Sequence, residues 1–186
     1  MSDWAHEQLL ADALRVLEGL GIAHALIGGG ARNAYAEPRA TRDVDFVVEV
    51  DPEQLRALER ALAHAGFRPA TRVGGDEAVP DLVLYRDSAG RRIDVLFAHT
   101  DFERSALERA IVKPAQRDRD ARVVSPEDLI VYKILADRPQ DRVDVIDVVR
   151  AVETSGGSID WAYVERWCDA WEVTQRLTRI REELAR

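Results

Sequence analysis

The chain has 186 residues, enough for one hydrophobic core, or for one catalytic core with a helical extension. Its 46% hydrophobic content is ordinary, no window reaches the length of a membrane helix, and residues 1–7 show no basic segment followed by an apolar one, so the protein is expected in the cytoplasm. A net charge of −8 argues against broad, sequence-blind adhesion to nucleic acid, and one cysteine, Cys168, excludes an internal disulfide.

Residues 5–20 carry Leu9, Leu10, Ala13, Leu14, Leu17 and Leu20 at helical spacing, with Gly21 as the C-terminal stop. Ile22 to Ile27 reads as a buried strand. A glycine turn, Gly28-Gly29-Gly30, opens a brief helix over Ala31 to Ala36 that ends before Pro38. A strand over Val44 to Val50 follows. Asp51-Pro52 is an N-cap acid with proline at the first helical position, and Leu55, Leu58 and Leu62 supply that helix's buried stripe up to Gly66. Residues 67–80 read as an irregular crossing with one weak strand. Asp81–Arg86 and Arg92–Phe97 are apolar runs separated by Asp87-Ser88-Ala89-Gly90, the punctuation of an antiparallel hairpin.

From about residue 102 the pattern is helical. Ser125-Pro126-Glu127-Asp128 starts one helix, Pro139 interrupts it, and 141–152 resumes it. Ser158 caps a last helical region containing Trp161, Trp167 and Trp171, which are expected to pack that half, with Cys168 as a small buried hydrophobe. The run Arg104, Arg109, Lys113, Arg117, Arg119 and Arg122 is read either as a solvated, salt-laced surface or as a basic rim suited to a polyanionic substrate. His6, His24, His64 and His99 show no ligand spacing.

The chemistry concentrates in residues 26–48. Asp43 and Asp45 lie two apart on a strand, so both carboxylates face one place. Backbone N–H groups at the glycine turn can receive phosphate oxygens. Asp94 interrupts a third strand between Ile93 and Val95. Carboxylates about 5 Å apart repel by roughly 3 kcal/mol per pair at an effective dielectric of about 20. Arg42 or Arg92 could offset this, but a divalent cation such as Mg²⁺ is the simpler remedy, and glycine turn plus acid pair imply one carrying a nucleoside triphosphate.

Gly28-Gly29, thirteen intervening residues from Gly30 through Arg42, Asp43-Val44-Asp45-Phe46, and the later strand acid Asp94 together resemble the signature of the polymerase-beta-like nucleotidyltransferase superfamily over residues 22–97. The stretch 125–138, continued by Asp141-Arg142-Val143-Asp144-Val145, is similar to the lysine and aspartate motifs of the AbiEii-type branch, which includes toxins of toxin–antitoxin systems. The resemblance implies a two-metal nucleotidyl transfer with in-line attack on the α-phosphate of an NTP. Asp43, Asp45 and Asp94 would hold two Mg²⁺ ions, and Asp94 could also help deprotonate the acceptor hydroxyl. Gly28 and Gly29 would approach the phosphates by backbone. Lys133, one of two lysines in the chain, would bind a phosphate as a point charge, against the plainer reading of a snorkelling surface lysine. Asp144 would orient Lys133 or Arg138, or simply lie on the polar side of its helix. Arg32 could touch a phosphate or pair with Glu37, and Arg39 and Arg42 share that ambiguity. Two departures from the branch stand out: its toxin members often carry a larger C-terminal helical region, and Gly-Gly stands where many have Gly-Ser.

The expected fold is α/β (α+β), a small mixed sheet backed by helices. Residues 1–101 form the nucleotidyltransferase core and 102–186 a mostly helical region packed on it. The expected function is transfer of an NMP to an RNA (tRNA) or protein acceptor, with an antitoxin as a further partner. The alternatives are a small-molecule, antibiotic-type adenylyltransferase and a non-catalytic binding relative of the fold.

Overall fold

A computed structural model describes residues 3–75, 78–116 and 119–185. Arg117 of the basic run lies outside the described residues. The elements are α1 (Asp3–Gly19), β1 (Ala23–Leu26), α2 (Gly28–Asn33), β2 (Asp43–Glu49), α3 (Pro52–His64), β3 (Arg68–Val73), β4 (Leu82–Arg86), β5 (Arg92–Phe97), α4 (Asp101–Arg109), β6 (Ile111–Gln116), β7 (Arg119–Val123), α5 (Pro126–Ala136), α6 (Pro139–Thr154), α7 (Trp161–Ala170) and α8 (Thr174–Leu184).

The seven strands form one mixed sheet in the order β3-β4-β5-β2-β1-β7-β6. β2 runs parallel to β5 and antiparallel to β1. β4 and β5 form the expected antiparallel hairpin, closed by Asp87, whose carboxylate accepts from Ala89 N at 2.9 Å and Arg91 N at 2.8 Å. Val44, Phe46 and Val48 of β2 and Ile93, Val95 and Phe97 of β5 bury one face of the sheet centre with Leu14, Leu55, Leu58 and Leu62 from α1 and α3. The strand period of two therefore sends Asp43, Asp45 and Asp94 to the opposite face.

Local signals placed several boundaries where the sequence implies them. Asp51 accepts from Glu53 N and Gln54 N, both at 2.8 Å, while the Gln54 side chain returns to Asp51 N at 3.1 Å. Gly21 and Gly66 take the left-handed conformation just beyond their helices.

Three segments differ from the sequence reading. α2 begins at Gly28, so the glycines form the first turn of the helix and do not precede it. Residues 111–123, read as helical, form the β6–β7 hairpin, and β7 joins the sheet beside β1 through Leu26 and Val123. Its sequence alternates only weakly, with just Ala121 and Val123 of β7 turned inward, so the pairing with β1 decides the strand. The final helix is capped by Asp160, which accepts from Tyr163 N at 3.0 Å, and it breaks into α7 and α8 where Glu172 takes a positive φ.

A second core joins α5–α8 to Phe102 of α4, including Ile130, Ile134, Val145, Val164 and Cys168. Phe102 packs against Tyr132 and Trp167, with ring centroids at 4.8 and 5.3 Å. Burial pushes the Cys168 thiol up to about 11, consistent with an inert core residue. Beside this core, the fully buried Asp128 accepts from Tyr163 Oη at 2.5 Å, Ser125 Oγ at 2.6 Å and Arg109 Nε at 3.2 Å, tying α4, α5 and α7 together. Replacing it removes a buried acceptor shared by three donors, although Tyr163 keeps Ser105 and Arg109 keeps Glu127. Asp128→Ala is expected to lower the unfolding free energy by about 2–4 kcal/mol in urea titrations; a loss below about 1 kcal/mol would show that solvent satisfies these donors readily.

Candidate active site

The β2–β5 register sets Asp45 opposite Asp94 and Asp43 opposite Arg92. One carboxylate oxygen from each of Asp43, Asp45 and Asp94 lies within 4.8 Å of the others. The acids that the sequence separates by 49 residues are thus neighbours on adjacent strands. They line a cleft of about 390 Å³ with Gly28, Gly29, Arg39, Thr41, Arg42, Arg92, Lys133, Arg138, Gln140 and Asp141.

Gly28 forms the wall closest to the acids. It sits at φ +61°, and a Cβ there would come within 2.2 Å of Asp45 Oδ2. A Cβ on Gly29 would lie 2.7 Å from Thr41 Cγ2. Glycine is required at Gly28 by both backbone conformation and the close approach of Asp45. Ile27 N donates to Asp45 O at 2.9 Å, which holds the glycine turn against β2.

Burial, and next the charge of Asp94, raise the Asp45 carboxyl to about 6, although Lys133, the Gly29 N–H and Arg138 pull it down. Burial also raises Asp94, against the opposing charges of Arg92 and Arg86. A partly buried cluster whose members resist ionisation fits a divalent cation, which supplies the missing positive charge. The buried Asp94 Oδ1 lies 2.9 Å from Arg92 Nε as an ion pair.

Lys133 rises into this cleft from α5. It is buried, and its Nζ donates to Asp141 Oδ1 at 2.8 Å and to Asp144 Oδ2 at 2.7 Å. An ammonium has three N–H donors, so one is left for the cleft. The snorkelling alternative does not describe a side chain so enclosed. Asp144 is fully buried beneath it and does not line the cleft. It receives a bidentate pair from Arg39 Nε at 3.1 Å and Nη2 at 2.8 Å, with Gln140 at 3.2 Å. Burial would raise this carboxyl, but the hydrogen bonds from Arg39 and Lys133 outweigh that and lower it. Asp144 therefore stays ionised and orients Lys133 and Arg39.

The remaining candidates divide. Arg42 is exposed at the cleft. Arg32 is buried outside it: the guanidinium donates to the Glu37 carbonyl oxygen and to Asp147, and Nε lies 3.8 Å from Asp144 Oδ1. Asp141, Arg138, Gln140 and Thr41 line the cleft without having been singled out for roles. Asp141, which opens the stretch likened to the aspartate motif, accepts from the Arg138 N–H and Nε at 3.1 and 3.0 Å. The described members of the basic run do not line the cleft. Arg104 pairs with Asp101, Arg109 with Glu127 and Asp128, and Arg119 with Glu18, while Lys113 covers Tyr35 and Arg122 donates to Leu107 O.

The mixed sheet thus presents three acids beside a glycine-walled helix start, with a lysine-bearing helix closing over them. Residues 8–174 match the family model described as "Nucleotidyl transferase AbiEii toxin, Type IV TA system". The chain belongs to that family. A search of curated proteins finds no match. Among solved structures, the fold is similar to that of the antibiotic-resistance factor ANT(2'')-Ia, with a TM-score of 0.62 at 16% identity over 98% of this chain and 99% of that one. It is also similar to an antigenic nucleotidyltransferase-like protein from Paracoccidioides brasiliensis, with a TM-score of 0.51 at 20% identity over 78% and 75% of the two chains. The lincosamide antibiotic adenylyltransferase LnuA, lincomycin-bound, gives a TM-score of 0.51 at 15% identity over 76% and 95%. At these identities the likeness defines the fold. Among the described residues, no helix is long and apolar enough to cross a membrane.

The raised Asp45 carboxyl has a measurable consequence. Its pKa moves from 3.8 to about 6, so the unfolded chain releases this proton first. The associated stability is full below about pH 4 and is lost as pH rises to about 6. With divalent cations chelated, Asp45→Asn is expected to stabilise the fold by about 1–3 kcal/mol at pH 8 and to change it little at pH 4. Urea titrations at both values test this; equal effects would show that Asp45 titrates normally.

Proposed function

We propose that this chain moves a nucleoside monophosphate from an NTP to an RNA acceptor, with a tRNA end as the leading class, in an Mg²⁺-dependent reaction. The observation that carries this reading is the convergence of Asp43, Asp45 and Asp94 within 4.8 Å against the Gly28–Gly29 backbone. The three carboxylates would hold two Mg²⁺ ions, which when bound would neutralise the triphosphate and polarise the α-phosphate. Gly28 and Gly29 leave room for phosphate oxygens to approach the backbone. Lys133, held by Asp141 and Asp144, offers its remaining N–H to the leaving phosphates, and Arg42 extends that positive wall toward solvent. The acceptor hydroxyl attacks the α-phosphorus, its proton passes to Asp94, and the bond from the α-phosphorus to the pyrophosphate oxygen breaks.

Charge at the cleft mouth supports the acceptor class. Arg42 and Arg138 are the exposed charged side chains that line it, despite the chain's net charge of −8. A phosphodiester backbone would be drawn to these guanidinium groups, whereas a polycationic small molecule would be repelled. A protein hydroxyl could enter the same cleft, and an antitoxin would be the counterpart of such an activity in the cell.

Label transfer tests the reading. The protein is incubated with Mg²⁺, each α-labelled NTP in turn, and separate arms containing bulk tRNA, extract protein, or an aminoglycoside and a lincosamide. Label is expected in RNA, with Asp45→Asn and Asp94→Asn lowering it by at least about 100-fold and Lys133→Met by about 10- to 100-fold. Label only in the protein or antibiotic arm would overturn the RNA assignment while keeping the chemistry. No transfer in any arm, with no Mg²⁺-dependent NTP binding by calorimetry, would overturn the enzyme reading.

A further inference from the structure

Arg92 sits among the acids. It faces Asp43 across the β2–β5 pair and precedes Asp94 by two residues on the same face of β5. One terminal nitrogen pairs with Asp43 Oδ2, and Nε lies 2.9 Å from Asp94 Oδ1. The second contact is close but not aligned as a hydrogen bond, since both atoms are buried without a hydrogen-bond partner. The guanidinium therefore donates one hydrogen bond to Asp43 and meets Asp94 as an ion pair. Thr41, Gly29, Arg42 and Arg138 also line the cleft, and Arg86 and Arg138 add their charge at Asp94. A divalent cation in the triad would draw on the same two carboxylates that hold Arg92.

We propose that Arg92 is a positioning residue, an internal counter-cation that competes with the divalent ion for Asp43 and Asp94 until a triphosphate offers it another partner. This rests on the divalent-cation reading of the triad. A free metal ion must displace the guanidinium from two carboxylates, whereas a metal ion arriving with a triphosphate brings oxygens that suit a planar, bidentate donor. Metal and nucleotide would then bind with positive coupling, and by linkage each would strengthen the other by the same factor. The consequence is a site that loads Mg²⁺ and NTP together and discourages the metal ion alone.

Mn²⁺ binding, read as the loss of the free-ion electron paramagnetic resonance signal, tests this without any turnover. Wild type and Arg92→Gln are titrated with Mn²⁺ alone, and again with a non-hydrolysable analogue of each NTP. Arg92→Gln is expected to bind Mn²⁺ alone about tenfold more tightly, and the enhancement by nucleotide should shrink by a similar factor. Arg92→Lys keeps the charge but cannot bridge both acids, so a smaller tightening of about two- to threefold is expected; it also serves if the glutamine variant does not fold. Unchanged or weaker Mn²⁺ binding in the folded variants would overturn the proposal and make Arg92 a fixed clamp on the carboxylates. Asp45→Asn separates the two levels. If wild type binds Mn²⁺ no better than Asp45→Asn even with nucleotide, the cation reading fails and the inference with it. If wild type alone binds and Arg92→Gln does not bind tighter, only the inference fails.

Discussion

Asp43, Asp45 and Asp94 project from neighbouring strands with ligand atoms within 4.8 Å, and their mutual repulsion is the constraint around which the molecule is arranged. Carboxylates this close on a partly buried surface destabilise the folded chain unless cations surround them. The parallel pairing of β2 with β5 cannot be relaxed to separate them, because a one-residue slip would turn Val44, Phe46, Ile93 and Val95 out of the core. The hydrophobic face thus fixes the position of the charged face. Arg92 of β5, Lys133 of α5 and Arg138 of the link between α5 and α6 then gather round the acids.

The helical half contributes more than bulk. Lys133 enters from α5, Asp141 and Asp144 from α6, and Arg39 from the loop before β2. Asp144 joins all of these as a fully buried acceptor, with Arg39 clamped in turn by Asn33, whose amide donates to Arg39 O at 2.7 Å and accepts from Arg39 N at 3.1 Å. A buried carboxylate satisfied by a bidentate arginine and a lysine resists rearrangement, because loss of any partner leaves an uncompensated charge. The position of Lys133 over the acids is accordingly set by packing of α5 against α2 and α6, and the loop from Pro38 to Arg42 is held to the same point.

Much of this was legible because the signals were local. Asp51-Pro52 and Ser125-Pro126 announced α3 and α5 through caps that need only the next few residues. The Asp87–Gly90 turn announced the β4–β5 hairpin in the same way. The β6–β7 hairpin gave no such signal: Ile111 and Val112 are exposed, and β7 is mostly charged until Ala121 and Val123 meet the sheet. β3 is exposed along its whole length and depends on β4 for its conformation. Arg32 shows the same limit at the site, since nothing near it in the chain reveals that Asp147 will receive its guanidinium.

By itself the sequence determined which residues are candidates for the chemistry: the glycine pair, the spaced acids Asp43 and Asp45, the strand acid Asp94 and the lysine Lys133 of an apolar helix. Strand alternation is a local rule, so it also determined that Asp43 and Asp45 share a face. Tertiary structure alone decided that Asp94 stands opposite Asp45, that Arg92 lies between Asp43 and Asp94, and that Asp144 is a buried support and not a cleft residue. Those outcomes depend on strand register and helix packing, which are set by hydrophobic contacts far apart in the chain and leave no mark at the positions they bring together.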